Sequence, residues 1–193
     1  MKTKVTPPHH SSPVQRAKIE ICILAGGLSS RMGRDTSKLR LGRTTLLARM
    51  RHTAKILDFP VRVIRRDLVP RCGPLGGIYT ALKTTAAETV LFLACDMPQI
   101  SETFLRNLVK EFKSGAIAVF TWTDDTAGFP FVLRRAALPK VEQLMSEKKH
   151  SLQILSKEIR AKKFRPAESF KTELINVNSP KDWENLKTWR GKL

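Results

Sequence analysis

Ile19-Glu20-Ile21-Cys22-Ile23-Leu24-Ala25-Gly26-Gly27 decides the fold: a short apolar, β-branched run, Ile19–Ala25, that stops at a glycine pair. A run of that length closed by turn residues reads as a buried strand. After a polar loop, Leu46, Leu47, Met50, Ala54 and Leu57 recur at three- and four-residue spacing across Thr44–Leu57, which makes one apolar helical face. Strand, glycine loop, helix is the opening unit of an α/β domain.

The pattern repeats outward. Val61–Ile64 is a short strand, Arg71–Gly77 a glycine- and proline-rich turn, and Ile78, Ala81 and Leu82 mark a helical stretch. Val90–Ala94 is a continuous apolar run of strand length, the kind buried on both faces of a parallel sheet, and Cys95-Asp96-Met97-Pro98 breaks it. Ser101 caps a helix whose Phe104, Leu105, Leu108, Val109 and Phe112 share a face, and Ala116–Trp122 returns as a strand. Beyond a Gly-Phe-Pro loop at 128–130, the pattern predicts a strand around Phe131–Leu133, helices near Ala136–Met145 and Ser151–Ile159, and a strand at Leu174–Val177. Ser179-Pro180 then starts a terminal helix through Leu186. This order predicts right-handed crossovers and a three-layer α/β fold with a mostly parallel sheet, whose ligands bind beyond the carboxyl ends of the strands.

The chain has 193 residues, ample for one domain over 18–193, preceded by a Pro-, Ser- and Lys-containing segment at 1–17 that reads as a flexible basic tail. His9 and His10 in that tail are read as tail residues before metal ligands. Cys22, Cys72 and Cys95 are odd in number and far apart, which predicts reduced thiols in a cytoplasmic protein and no disulfide framework. The first sixteen residues lack the apolar core of a secretory signal, and the longest apolar run, Val90–Cys95, cannot span a bilayer. Lys and Arg number 35 against 17 Asp and Glu, a formal net charge of +18 that favours anionic partners. Twelve of the basic residues lie in 31–71 and eleven in 134–171, where they read first as solvated faces. No groove-reading motif or aromatic stacking platform accompanies them, so specific nucleic-acid binding is not expected.

Two glycine clusters and one acid carry the chemistry. In Leu24–Gly33, glycines after a buried strand let backbone amides approach an anion, with Arg31 and Lys38 adding charge against a triphosphate; the same spacing also makes a plain tight turn. The stretch is neither a Walker loop nor Gly-x-Gly-x-x-Gly, which excludes ordinary ATPase and dehydrogenase sites. Gly73-Pro74-Leu75-Gly76-Gly77 either opens room for a flat ring or simply closes a helix N-terminus. Asp96, ending the most buried strand, needs a metal, a donor or solvent; it is either a Mg2+ ligand beside substrate phosphates or a helix-capping aspartate.

Taken in order, Leu24-Ala25-Gly26-Gly27 with Arg31-Met32-Gly33, then Gly73-Pro74-Leu75-Gly76-Gly77, Cys95-Asp96-Met97-Pro98 and Asn176-Val177-Asn178-Ser179-Pro180, resemble the motifs of the molybdenum cofactor guanylyltransferase family over residues 22–187. The resemblance implies a Rossmann-like nucleotidyltransferase fold that binds GTP and Mg2+, transfers GMP to the terminal phosphate of molybdopterin and releases pyrophosphate. It implies that Leu24, Ala25, Gly26 and Gly27 wrap the nucleotide together with Gly73 and Pro74. Arg31 would meet the phosphates, Asp96 would hold Mg2+, and Asn176 and Asn178 would line the far side of the pocket near the pterin. Contacts with a molybdoenzyme or a cofactor chaperone are the corresponding partner expectation.

The resemblance breaks at two points. The family reads Arg-Met-Gly-x-Asp-Lys, whereas Arg31-Met32-Gly33-Arg34-Asp35 is followed here by Thr36: either Lys38, two residues on, does that lysine's work, or Arg34 or another basic residue compensates, or activity is reduced. The stretch from the first helix to Gly73 is also short, and Asp67 is the acid left there to help read the base, guanine first and cytosine as the alternative. Loss of catalysis with retention of nucleotide or polyanion binding is the other reading that Thr36 admits.

Overall fold

The computed structural model describes residues 18–26, 35–70, 72–112 and 115–188. The segment 1–17, with His9 and His10, and also Gly27, Arg31, Arg34 and Trp189, lie outside the described residues. In chain order the elements begin with β1 (Ile19–Leu24), β2 (Arg40–Leu41), β3 (Thr44–Thr45), α1 (Leu46–Lys55), β4 (Val61–Ile64), α2 (Gly73–Thr84) and β5 (Thr89–Ala94). They continue with α3 (Glu102–Glu111), β6 (Ala118–Thr123), β7 (Thr126–Arg134), α4 (Leu138–Ser146), α5 (Leu152–Glu158), β8 (Lys162–Phe164) and α6 (Pro180–Thr188). Six strands form one sheet in the order β4-β1-β5-β7-β6-β8, while β2 and β3 make a separate two-stranded ribbon. β1 runs parallel to β4 and β5, and β6 parallel to β8; β7 alone is reversed, antiparallel to both β5 and β6. This is the mostly parallel sheet that the alternation predicted.

Alternate residues along each strand supply the two faces. Cys22, Val90, Phe92, Phe120 and Phe131 pack against α2, α4 and α5, and Ile21, Ile23, Leu91, Leu93 and Val132 pack against α1 and α3, which gives the three layers. Phe131 stacks between Phe120 and Phe92 at centroid distances of 4.3 and 4.8 Å. Truncating such a buried ring costs about 3–5 kcal/mol. A third cluster, Leu39, Leu41, Leu46, Val177, Trp183 and Leu186, seats α6 on the β2–β3 ribbon. The predicted caps are in place: Ser101 Oγ accepts from Phe104 N at 3.1 Å. Ser179 Oγ accepts from Asp182 N while Asp182 Oδ2 accepts from Ser179 N at 2.8 Å, a reciprocal box in front of Pro180. Among the described residues no helix is long and apolar enough to cross a membrane.

Several expectations about elements are corrected. Leu174–Val177 is not a strand: Glu168–Leu174 winds as a 3-10 helix, and the place beside β6 is taken by β8. β8 reads poorly in sequence because it is Lys-Lys-Phe, yet its lysines suit an exposed sheet edge, Lys162 pairing with Glu111 and Lys163 lying over the Trp122 ring at 4.0 Å. Gly128-Phe129-Pro130 lies inside β7 rather than in a loop, opposite a register shift between Phe120 and Thr121, where a strand tolerates proline. Gly73–Gly77 is the first turn of α2 rather than a turn before it, with Pro74 in the helix's opening positions.

Candidate active site

The carboxyl ends of β1, β4 and β5 build one wall. Cys95 N donates to Leu24 O at 3.2 Å and Ala25 N to Ile64 O at 2.8 Å, so the ladder carries on just past the strands and holds Leu24, Ala25 and Gly26 at its rim. Gly26 must be glycine, since a Cβ there would stand 2.8 Å from the carbonyl oxygen of Arg65. Asp67 lies over α2: a Cβ on Gly76 would come 2.6 Å from Asp67 Oδ2, and one on Gly77 would come 3.0 Å from Leu24 Cδ1. The segment carrying Asp67 is pinned by Leu68 N donating to Thr80 Oγ1 at 2.9 Å, while that hydroxyl donates to Gly76 O at 2.8 Å. Burial pushes the Asp67 carboxyl up from its ordinary value.

Asp96 is the electrostatic centre of this wall. Its Oδ1 is buried and has no hydrogen-bond partner, and burial pushes its pKa up against the opposing pull of a backbone hydrogen bond. An orphaned buried carboxylate oxygen costs about 1–3 kcal/mol or more, and a hard cation relieves that cost. Among the described residues no group of three or more His, Cys, Asp or Glu could hold a metal, so a cation at Asp96 would complete its shell with ligand oxygens and water. The donor set fits Mg2+ bound through one carboxylate beside phosphates. Asp96 O accepts from Val177 N at 2.8 Å, and this one bond brings the exposed Asn176 and Asn178 alongside.

The remaining expected residues are placed differently. Gly73, at φ +52, faces His150 rather than the wall, with a Cβ there 3.7 Å from His150 O, and Pro74 follows it in α2. Lys38 Nζ stands 3.5 Å from Asp35 Oδ2, on the 3-10 turn Thr36–Lys38, in which Thr36 and Ser37 are buried. It opens onto a cleft with Arg40, Trp183 and Lys187. The structure therefore brings together Leu24, Ala25, Gly26, Asp67, Asp96, Asn176 and Asn178, and sets Gly73 and Lys38 at the margins. The roles of Gly76, Gly77 and Thr80 as supports of Asp67 were missed in sequence: the glycine pair was visible, but not the carboxylate that needs its missing side chains.

Comparisons with known proteins bear on the family and the fold. The family description "MobA-like NTP transferase domain" matches residues 49–162. A probable molybdenum cofactor guanylyltransferase of Opitutus terrae is 30% identical over 83% of this chain and 90% of its own length. One of Carboxydothermus hydrogenoformans is 29% identical over 87% of this chain and 94% of its own. Among solved structures, the molybdopterin-guanine dinucleotide biosynthesis protein A of Archaeoglobus fulgidus superposes with a TM-score of 0.69 at 17% identity, covering 87% of this chain and 96% of that one, a likeness of fold. With more than half of its length matched by the family description and a 30% identical relative covered almost end to end, the chain belongs to the MobA-like NTP transferase family, in the company of proteins named molybdenum cofactor guanylyltransferases.

Proposed function

We propose that the chain transfers GMP from GTP to the terminal phosphate of molybdopterin. The observation that carries this reading is the buried, unpartnered Oδ1 of Asp96, set beside the β1 rim and the Asn176–Asn178 strap in a chain of this family. A phosphate oxygen of molybdopterin attacks the α-phosphorus of GTP, the new P–O bond forms, and the bond to the β-phosphate oxygen breaks, so pyrophosphate leaves with the electron pair. The nucleophile is already ionised, so the protein's task is positioning and neutralisation of charge rather than proton transfer. Leu24, Ala25 and Gly26 offer backbone to the nucleotide, Asp67 offers a carboxylate to donors on the base, and Asn176 and Asn178 face the acceptor. Arg31 belongs with the phosphates in this reading. Lys38 joins it by leaving its exposed ion pair with Asp35, a contact of the kind that costs little to break. Asp96 would hold Mg2+, which when bound supplies positive charge to the phosphates. Three free thiols suit a cytoplasmic setting.

A second reading, a nucleotide-binding protein with weakened turnover, is favoured by Thr36, small and buried where the family motif carries lysine. The test of both is incubation with Mg2+, molybdopterin cofactor and each nucleoside triphosphate in turn, with detection of dinucleotide and pyrophosphate. GTP is expected to support product. A preference for CTP overturns the choice of base, and stabilisation by GTP without pyrophosphate release selects the second reading.

A further inference from the structure

The six-stranded sheet ends in two edges of opposite character. At one, β8 carries Lys162 and Lys163, exposed lysines of the kind that keep a further strand away. At the other, β4 is Val61-Arg62-Val63-Ile64, and no strand pairs with its outer side among the described residues. Its arginine is folded inward, donating to the two carboxylate oxygens of Glu20 at 3.1 and 3.0 Å and to Ala81 O at 2.9 Å, so no free charge guards this edge. β1 uses only alternate residues of β4. Ile21 N donates to Pro60 O and Ala25 N to Ile64 O, both at 2.8 Å, and the alternation of backbone groups along a strand then turns the N–H and C=O of Arg62 toward β1 and those of Val61 and Val63 outward. The two valine side chains continue the face of Ile21 and Ile23 and are only partly buried. Asp58 before the strand and Arg65 and Arg66 after it are exposed, without an ion-pair partner among the described residues.

We propose that β4 is a docking edge for a second copy of this chain, joined antiparallel about a twofold axis through Arg62, so that two sheets become one. In that register Val61 N donates to Val63 O of the second copy and Val63 N to its Val61 O, each bond repeated by symmetry. Valine then stands beside valine on the α1 face, a favourable cross-strand pair. Arg62 stands opposite Arg62, a repulsive pairing that the bidentate contact of each with its own Glu20 neutralises. Antiparallel joining also lays the amino end of each strand beside the carboxyl end of the other, which brings Asp58 of one copy to Arg65 and Arg66 of the other. This match of charge selects the occupant: the chain's own residues 1–17 hold Lys2, Lys4 and Arg16 and no acid, and would set like charge against the arginines. The formal net charge of +18 opposes the approach of two copies, but physiological salt screens it beyond roughly 8 Å. So short an edge makes a weak dimer that forms as concentration rises. Pairing needs no turnover, and it stands apart from the proposed activity.

The test is sedimentation of the full chain at physiological ionic strength over a concentration series reaching about 1 mM, with residue-resolved amide exchange on the same samples. The expected result is a reversible rise toward twice the chain mass. The amides of Val61 and Val63 should gain protection from exchange as concentration rises, whereas those of Arg62 and Ile64, bonded to β1, are protected throughout. Val61→Pro removes an outward N–H at the first residue of an edge strand, where proline is tolerated, and should weaken the dimer at least about tenfold because symmetry removes the bond twice. Arg66→Glu, changed only on an exposed side chain, should weaken it about tenfold, since an attractive pair becomes a repulsive one in two symmetric places. A chain that stays monomeric throughout the series overturns the proposal, as does a dimer that either variant leaves intact, which would use another face. Protection of Val61 and Val63 that is the same at every concentration also overturns it, and assigns the edge to a segment of the same chain. Should Val61→Pro fail to fold, Arg66→Glu and the exchange pattern of the wild type still decide.

Discussion

Asp96 and Asp35 are two carboxylates that both raise the pKa of the Cys95 thiol, and they are in opposite conditions. Asp35 caps a 3-10 turn; the Ser37 hydroxyl first, then the Ser37 amide and Lys38, hold its carboxyl below the usual value against the opposing effect of burial. Asp96 ends a buried strand with one oxygen unanswered, and burial drives its carboxyl up. A satisfied carboxylate shapes a loop, whereas an unsatisfied one is held ready for a ligand. The contrast also sets opposite pH behaviour. Asp96 binds its proton more tightly in the folded state, so the metal-free protein loses stability as pH rises from the ordinary 3.8 through the raised value. The contribution of Asp35 is present above its ordinary pKa and is lost as pH falls through the lowered one.

The largest expected effect follows from removing the charge of Asp96. Asp96→Asn should lower turnover by about a hundredfold or more, the scale of losing a principal electrostatic group, while the metal-free melting temperature at pH 7 rises by about 2–4 °C for each kcal/mol of relieved desolvation. Steady-state assay and calorimetry of one preparation read both; a drop in stability together with unchanged turnover would make Asp96 structural. Gly26→Ala comes next. Its Cβ meets a backbone oxygen that has no side chain to swing away, so a loss of about 1–3 kcal/mol in urea unfolding is expected, against a smaller loss for Gly76→Ala, where the obstacle is the mobile end of Asp67. Lys38→Ala should reduce turnover about tenfold, one charge-assisted contact, and leave the urea midpoint nearly unchanged, because its ion pair with Asp35 is exposed. Equal loss of stability would place Lys38 with Asp35 as a loop-former. The smallest effect is chemical: Cys22 and Cys95, whose burial pushes both thiols up to about 12, should resist iodoacetamide at pH 8 in the native protein, while the less buried Cys72 reacts.

Asp96 and the β1 rim were legible in the sequence because each ends a mainly apolar run of strand length, a signal that depends on burial alone. What escaped depends on partners distant in sequence. Leu174–Val177 carries apolar residues at strand-like spacing, but they serve separate ends: Leu174 packs toward Phe104's cluster, and Val177 packs under α6 and ties to Asp96 O. The strand that does pair with β6 carries two lysines, and its pattern makes sense only once Glu111 and the Trp122 ring are beside it. Lys38, two residues past the position where the family motif carries lysine, shares a cleft with Trp183 and Lys187, which come from nearly 150 residues later and which no local pattern announces.

The claim that the unsatisfied carboxylate is the working one is tested most directly by measuring pyrophosphate release from GTP and molybdopterin with Mg2+ in the wild type, Asp96→Asn and Asp35→Asn side by side. Near-complete loss in Asp96→Asn with at most a few-fold loss in Asp35→Asn is the predicted result. Loss of activity in Asp35→Asn with turnover preserved in Asp96→Asn would contradict it.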